Sequence, residues 1–261
     1  MGPGASAVAG SLAEGVEFEI SRTQYSFTNT MKHLEALNSM LRVARSAGIV
    51  DTVPSDGVKP TRQRTKFVDA TRKLPFKPQH VRTIFRKAGQ ESEDFRWMVK
   101  LLAYHGARSG ELAQLRVDDV MTMAGVAILS IHDRYGSVKN KHSVRHVPIH
   151  PKCIGIVDYA RTRNGEWLFG SFLEWKGKRG EFFQRRAHDF LRATCKITAP
   201  EYTMHSFRHL WRTLAREIGM PEAVSRAIMG HSLGKDDHAA YGEVPSLKVR
   251  AEWIGKIDPL A

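Results

Sequence analysis

Apolar positions recur with helical spacing in the first recognisable element of the chain. Between residues 31 and 47, Leu34, Leu37 and Leu41 fall near a 3.6-residue period, and Gly48 follows directly. Glycine just after the last periodic residue is typical of a helix end. The pattern therefore predicts a helix over 31–47.

The chain after residue 90 continues this helical patterning. An apolar stripe begins at Phe95 and ends at Gly106, and Ser109 is a suitable N-cap for a helix with Glu111 in its first turn. Further helices are predicted over residues 151–162, 180–194, 205–218 and 221–229.

Two short segments between these helices have β-type patterning instead. Residues 126–131 and 144–149 are rich in β-prone apolar side chains, and the stretch between them is polar. This arrangement predicts a hairpin. We therefore expect an α+β fold that is mostly helical, with a small antiparallel sheet or hairpin.

The same patterning divides the chain into four regions. Residues 1–24 show no period and predict a flexible leader, and residues 25–58 hold little more than one helix. Residues 59–77 are rich in proline and basic side chains and predict a linker, and residues 78–261 form one domain.

Charge makes the linker a candidate DNA contact. Between Lys59 and Lys87 there are ten lysines and arginines and one acid, Asp69. A charge run is often only a solvated surface. On a linker, however, it can follow a phosphate backbone, so we predict DNA contacts by Arg62, Arg64 and Lys66.

The charge of the whole chain favours a polyanionic partner. The 261 residues carry 40 Lys and Arg against 27 Asp and Glu, a net charge of +13. No apolar run approaches the roughly 18 residues of a membrane span, so we expect no membrane-spanning helix. Charge alone leaves nucleic acid, an anionic membrane surface and a merely soluble basic protein as interpretations. Two cysteines, Cys153 and Cys195, fit a reducing, cytoplasmic setting.

One predicted helix concentrates cationic side chains. His205, Arg208 and His209 are spaced i, i+3 and i+4, whereas Phe207 and Trp211 belong to the apolar stripe. Such a cationic face can hold a phosphate. A zinc site is disfavoured because the glutamate of H-E-x-x-H is absent and Arg208 would repel a cation. We therefore predict no metal at this helix.

Two further residues follow this helix at suggestive spacings. His231 comes directly after Gly230, at the predicted end of the helix over 221–229. Tyr241 lies ten residues later in a polar segment. A tyrosine alone is more often a packing residue than a nucleophile, so Tyr241 indicates a nucleophile only in combination with the neighbouring motifs.

Together these motifs resemble the tyrosine recombinase (phage integrase) family. The order His205-x-x-Arg208, Gly230-His231 and Tyr241-Gly242 is similar to the family's C-terminal half. Upstream, Tyr104-His-Gly-Ala-Arg108-Ser-Gly-Glu111 is similar to its first arginine motif. Val138-Lys139-Asn-Lys141-His-Ser-Val-Arg145-His-Val-Pro148 is similar to its β-hairpin lysine motif. The resemblance covers about residues 78–257, in the family's order.

The resemblance implies an enzyme that breaks and rejoins double-stranded DNA through a 3′-phosphotyrosyl link, as a tetramer and without metal or ATP. It makes Tyr241 the nucleophile, with Arg108 and Arg208 on the phosphate oxygens and His231 donating a further bond. His205 would position the phosphate and manage the tyrosine proton. No small-molecule substrate is implied. The catalytic residues implied are Arg108, Lys139, His205, Arg208, His231 and Tyr241.

The hairpin motif offers two lysines for the general acid. The family's lysine precedes the proline of Val-Pro by eight or nine residues, and Lys139 lies nine before Pro148 whereas Lys141 lies seven before it. We therefore favour Lys139 as the acid and expect Lys141 and Arg145 to contact DNA.

The chain departs from the family before the linker, where residues 25–58 resemble only a remnant of the helical core-binding domain. Two other interpretations stay open at this stage. One is a catalytically inactive fragment that binds DNA or regulates a full-length partner. The other is a type IB topoisomerase, which shares the chemistry.

Overall fold

The structure is a computed structural model that describes residues 27–58, 73–134, 143–172, 179–231 and 244–261. The chain divides into two compact units, residues 1–70 and residues 71–261. Lys139, Lys141, Tyr241, Arg62, Arg64 and Lys66 lie outside the described residues.

The smaller unit contains the first predicted helix. Helix α1 runs from Phe27 to Ser46 and confirms the prediction, beginning four residues earlier than expected. Leu34 is its buried apolar position, and Val53 is buried in the chain that follows. Arg42 pairs with Asp56 at 2.7 Å, but both side chains are more than half exposed, so the pair adds little stability.

The larger unit is mostly helical, as predicted. The predicted helices after residue 179 are confirmed to within two residues, except that the first of them ends as a π-helix over Phe190–Thr194. The predicted helix over 151–162 is instead a 3-10 turn at Pro151–Cys153 followed by a short α-helix. The helices are α2 Pro78–Ala88, α3 Glu93–His105, α4 Ser109–Ala113, α5 Ile156–Arg161, α6 Arg179–Asp189, α7 Ser206–Glu217, α8 Glu222–Met229 and α9 Leu247–Ile254.

A three-stranded antiparallel sheet accompanies the helices and confirms the α+β prediction. Its strands are β1 Val120–Met123, β2 Val126–Ile131 and β3 Arg145–Pro148, in the order β1-β2-β3. The predicted hairpin is the β2–β3 pair, which aligns Leu129 with Val147. Strand β1 is not predicted by the sequence because its side chains are largely exposed and show no buried alternation.

A close approach between α3 and α7 sets the position of the first arginine motif. Trp211 is fully buried and its Nε1 donates to the Tyr104 carbonyl oxygen at 3.0 Å. Gly106 ends α3 at a φ of +60°, and a Cβ there would lie 2.8 Å from the Trp211 ring. Only glycine fits this turn, which brings Arg108 over the core beside α7.

The end of the predicted basic linker packs onto the larger unit. Phe76 is buried and stacks on Tyr202 with a ring separation of 5.8 Å. Lys73 Nζ donates to the Pro200 carbonyl oxygen at 2.7 Å. Residues 73–77 are therefore part of this unit by their contacts.

No helix among the described residues combines the length and the apolar character needed to cross a membrane.

Candidate active site

Three of the predicted catalytic residues converge in the larger unit. Arg108 lies at the start of α4, Arg208 in the first turn of α7, and His231 just beyond α8. His205 lies nearby in the chain, at the residue before α7. These residues come from three separate helices, so the core that joins the helices fixes their relative positions.

Arg108 is held by a buried carboxylate. Glu111 accepts the Arg108 backbone N–H at 2.9 Å and the Arg108 Nη1 at 2.5 Å. Arg108 Nη1 also donates to Ser143 Oγ at 3.2 Å. The helix begins at Ser109 with Arg108 as the N-cap residue, one position earlier than the predicted cap. The Arg108 side chain remains about one-fifth exposed, at 21%.

Arg208 points into the protein rather than lying on an exposed helix face. It is 5% exposed, and its Nη1 donates to the Gly106 carbonyl oxygen at 2.6 Å. Its Nη2 donates to the Met229 carbonyl oxygen at 2.7 Å. The prediction that Arg208 shares a face with His205 and His209 is therefore only partly met.

The two histidines of that helix behave differently from Arg208. His205 is exposed at the N-cap position of α7, and His209 is half-buried. Their rings pack edge to face with centroids 5.1 Å apart. The two histidine rings thus contact each other, whereas Arg208 is buried and bonded to backbone carbonyl oxygens.

His231 is presented by a left-handed turn. Gly230 ends α8 at a φ of +68°, and the His231 N–H still donates to the Arg226 carbonyl oxygen at 3.1 Å. The imidazole Nε2 lies 2.7 Å from Arg208 Nη2. Because a guanidinium only donates, Nε2 must accept, and the ring proton is therefore on Nδ1.

Burial and the surrounding cations keep His231 neutral. Burial first, and then the nearby guanidinium groups led by Arg208 and Arg108, together lower its pKa from 6.5 to about 4. At neutral pH the ring therefore has no charge and one N–H to donate, on Nδ1.

Arg145, which the sequence predicts to contact DNA, lies inside the protein. Its side chain is 5% exposed and pairs with Glu111 Oε2 at 2.9 Å. Its Nε and Nη1 donate to the carbonyl oxygens of Ile228 and Ser143, both at 2.7 Å. Each guanidinium nitrogen of Arg145 thus donates to an acceptor within the protein, and the DNA contact expected from the sequence stays a prediction.

The buried cluster has an excess of positive charge. Burial alone would raise the pKa of Glu111, but Arg145 and then Arg108 lower it on balance, so Glu111 is ionised. Burial and the cations Arg108 and Arg145, against the opposing effect of Glu111, together lower the pKa of Arg208 to about 9. At neutral pH one carboxylate therefore faces three guanidinium groups. Such a site favours an anion.

Sequence reasoning missed the supporting groups of this cluster. Ser143 is fully buried and Glu111 is 3% exposed, although the sequence pattern indicated only a first-turn acid at Glu111. A signal was present, because Ser143 before β3 and Arg145 and Val147 within β3 alternate in the sequence and are all buried. That alternation identifies Arg145 as buried.

An open groove of about 620 Å³ adjoins the cluster. It lies between α6 and the chain before α7, and Ser109 and His205 are among its lining residues. Gly180 allows α6 to pack closely against α4, because a Cβ at Gly180 would lie 2.8 Å from the Gly110 Cα. Gln184, Arg185, His188 and Thr203 also line the groove.

A buried histidine next to the first arginine motif predicts acid sensitivity. His105 is fully buried; its Nδ1 lies 3.1 Å from the Leu101 carbonyl oxygen and its Nε2 accepts the His150 N–H at 3.0 Å. Burial, and to a lesser extent His150, lowers the pKa of His105 from 6.5 to about 3. The folded state therefore resists protonation at this position.

We expect this histidine to link stability to pH. Because its folded pKa is lower than its unfolded pKa, its contribution is full above about pH 6.5 and is lost as the pH falls toward 3. The full loss, reached near pH 3, amounts to about 5 kcal/mol in the free energy of unfolding. Denaturant titrations between pH 4 and 7 should show a shallower pH slope for His105→Gln. His188→Gln, at an exposed histidine, should keep the wild-type slope, and an unchanged slope for His105→Gln would contradict the assignment.

Comparison with known proteins identifies the fold and the family of this chain. Residues 76–236 match the phage integrase family. No curated protein matches the chain. Among solved structures, the chain is similar to a lambda integrase dimer bound to a COC′ core site, with a TM-score of 0.59 and 16% identity. That match covers 93% of this chain and 64% of the lambda integrase chain.

Two other solved structures have a similar fold. The Tn1549 transposon integrase in complex with circular intermediate DNA has a TM-score of 0.57 and 19% identity, over 92% of this chain and 84% of that chain. The integrase from mycobacterium phage Brujita has a TM-score of 0.52 and 18% identity, over 95% and 78% of the two chains. The family match covers more than half of the chain, and the chain therefore belongs to the phage integrase family.

Proposed function

We propose that this chain is a tyrosine recombinase, a site-specific enzyme that breaks and rejoins double-stranded DNA through a 3′-phosphotyrosyl intermediate. The observation that carries the proposal is the convergence of Arg108, Arg208 and His231 in a cluster with excess positive charge. Membership of the phage integrase family and the shared fold support it.

The cluster suits the transition state of phosphodiester cleavage. Negative charge grows on the nonbridging oxygens when the phosphorus becomes five-coordinate, and fixed guanidinium groups stabilise that charge. Arg208 is anchored by two backbone carbonyl oxygens, so little reorganisation is needed when the phosphate arrives. His231 adds a hydrogen bond from Nδ1, because its Nε2 already accepts from Arg208.

The bond changes follow from the residues assigned by the family motifs. The Tyr241 hydroxyl oxygen attacks the phosphorus, the bond to the 5′-oxygen breaks, and the tyrosine becomes linked to the 3′-phosphate. Lys139 gives a proton to the leaving 5′-oxygen. His205, exposed at the start of α7, is suited to take the tyrosine proton because histidine titrates near neutrality. A 5′-hydroxyl then reverses the step, so no ATP is required.

The partner in this proposal is double-stranded DNA, bound by several copies of the chain. One solved lambda integrase structure is a tetramer bound to a Holliday junction. We propose that this chain also works as a homotetramer on DNA, in the cytoplasm, and that it takes no small-molecule substrate, cofactor or metal. The fixed cations of the cluster supply the charge that divalent ions supply in other nucleases.

A nicked suicide duplex tests the proposal directly. A nick just beyond the cleavage site lets the short product strand diffuse away, so the religation step is blocked and the covalent link accumulates. We expect a protein–DNA adduct that survives denaturation and forms equally well in the presence of EDTA. Binding of the duplex without any adduct would support a catalytically inactive DNA-binding protein instead.

The basic linker leads to a separate prediction about DNA affinity. Charge reversal at Arg62, Arg64 and Lys66 should weaken binding to all duplexes about equally, because contacts to phosphates are independent of base sequence. The salt dependence of affinity should become shallower, by about 0.9 for each phosphate that these side chains neutralise in the wild-type complex. Titrations at several salt concentrations measure this slope.

A second triple variant controls for net charge alone. Arg161, Lys248 and Lys256 are exposed basic residues of the larger unit, and their reversal changes the total charge by the same amount. If both triple variants change the slope equally, the linker has no specific contact with DNA.

A further inference from the structure

Arg145 joins three segments of the site. Its three nitrogen positions each reach a different segment: Nε the Ile228 carbonyl oxygen in α8, Nη1 the Ser143 carbonyl oxygen before β3, and Nη2 the Glu111 carboxylate in α4. All three contacts are between 2.7 and 2.9 Å, and the side chain is buried. The planar fork of arginine makes such a three-way contact possible.

Arg145 and Arg208 share the end of α8. Arg145 takes the Ile228 carbonyl oxygen and Arg208 takes the next one, that of Met229. Both cations lie where the helix dipole is negative, which is favourable. Two guanidinium groups on consecutive carbonyl oxygens fix the direction in which the chain leaves the helix toward His231.

Gly230 allows this arrangement. A Cβ at this position would lie 2.8 Å from Arg145 Nη1 and 3.0 Å from its Cζ, and the φ of +68° disfavours any other residue. The turn that presents His231 is therefore built against the Arg145 guanidinium, with no space for a side chain between them.

Glu111 connects Arg145 to Arg108 through hydrogen bonds to both residues. One carboxylate oxygen accepts from Arg145 Nη2 and from the Arg108 backbone N–H, and the other accepts from Arg108 Nη1. Removal of the Arg145 guanidinium would leave Glu111 buried with one of its two cationic partners. The carboxylate and Arg108 would then be free to move.

The segment with the two candidate lysines ends at the same point. Ser143 is the first described residue after Lys139 and Lys141; its carbonyl oxygen accepts from Arg145 and its Oγ accepts from Arg108. Ser143 is therefore held by the same two arginines, Arg145 and Arg108.

From these contacts we infer that Arg145 is a positioning residue, which holds Arg108, the His231 turn and the end of the lysine segment in one arrangement. The inference rests on the proposed function for its catalytic consequence. In this role Arg145 itself does not touch DNA, so its replacement should slow strand cleavage rather than weaken DNA binding.

Arg250 provides a matched control. It is also a buried arginine of the larger unit, 9% exposed, and its Nη1 donates to the carbonyl oxygen of His146, the neighbour of Arg145 in β3. This hydrogen bond involves neither Glu111 nor α8. Arg250→Gln thus removes a comparable buried cation beside the same strand without disturbing the proposed arrangement.

The test compares Arg145→Gln, Arg145→Lys and Arg250→Gln in single-turnover cleavage of the nicked duplex. At saturating DNA, we expect about a 100-fold lower rate for Arg145→Gln with duplex affinity within about threefold of wild type. Arg145→Lys should remain slow, because an ammonium cannot contact three acceptors in the same fixed geometry. Arg250→Gln should cleave within about threefold of wild type per folded molecule.

Nuclear magnetic resonance of the His231 ring nitrogens gives a readout independent of cleavage. In wild type, Nδ1 should be protonated and Nε2 should accept a hydrogen bond. Arg145→Gln should change both this tautomer balance and the titration of the ring, while Arg250→Gln leaves them intact.

If the Arg145→Gln variant does not fold, Gly230→Ala displaces the same guanidinium by contact and should give the same kinetic signature. Wild-type cleavage together with wild-type ring signals in the folded variant would overturn the inference. If wild type forms no adduct, the proposed function fails, and the ring signals alone decide whether Arg145 positions His231.

Discussion

Tyr241→Phe will abolish the covalent protein–DNA adduct while leaving affinity for duplex DNA within about twofold of wild type. The substitution removes one hydroxyl, which is the nucleophile in the proposed reaction, so no protein–phosphate bond can form. Affinity is hardly changed because contacts to many phosphates dominate binding. Adduct formation on the nicked duplex, measured beside a binding titration of the same protein, checks both parts.

Tyr202→Phe is the matched control for this prediction. Tyr202 lines the groove beside His205 and is largely buried, so it is a tyrosine close to the site in the described part of the chain. We expect its phenylalanine variant to form the adduct at a rate near that of wild type. An adduct formed by Tyr241→Phe but not by Tyr202→Phe would move the nucleophile to the other tyrosine.

Lys139→Ala will slow cleavage of the normal duplex by about 100-fold or more, and a sulfur at the bridging 5′ position will restore it. An alkoxide leaves poorly without a proton, whereas a thiolate, whose conjugate acid has a pKa near about 8.5, leaves without one. Single-turnover rates on the oxygen and sulfur substrates measure the rescue. Arg108→Ala should not be rescued to the same degree, because its guanidinium acts on oxygens that the sulfur does not replace.

Lys141→Ala separates the two lysines of the motif. With Lys139 as the acid, Lys141→Ala should cleave the oxygen substrate much faster than Lys139→Ala and gain little from sulfur. If Lys141→Ala is the slow, sulfur-rescued variant, the acid lies two residues later. If sulfur rescues neither, the proton comes from another group.

Much of the fold could be predicted from the sequence because its elements have strong periodic patterns. In the helix beginning at Glu93 the apolar residues recur with a helical period, and the strand over Val126–Ile131 is a short run of β-prone apolar residues. Strand β1 could not be predicted because exposed Met121 and Met123 give no alternation. Helix α9 could not be predicted because Ile254 is its one fully buried apolar side chain.

The candidate site was predictable in its residue types but not in its internal contacts. Motif order identified Arg108, Arg208 and His231, which the structure brings together. The partners of Arg145 could not be predicted from the sequence, because a cationic side chain in a DNA-binding protein suggests phosphate contact. Its buried role depends on Glu111 and Ile228, which are 34 and 83 residues away in the chain, and such partners are set by tertiary packing alone.

The excess of cations in the cluster also leaves the free protein with positive charge that none of the described residues of the cluster neutralises. Mutual repulsion among Arg108, Arg145 and Arg208 opposes folding, and one carboxylate does not neutralise it. In the proposed reaction, a phosphodiester that enters the cluster supplies the missing negative charge and, by linkage, stabilises the folded state. Under that proposal, the DNA substrate contributes to the stability of the site as well as to its chemistry.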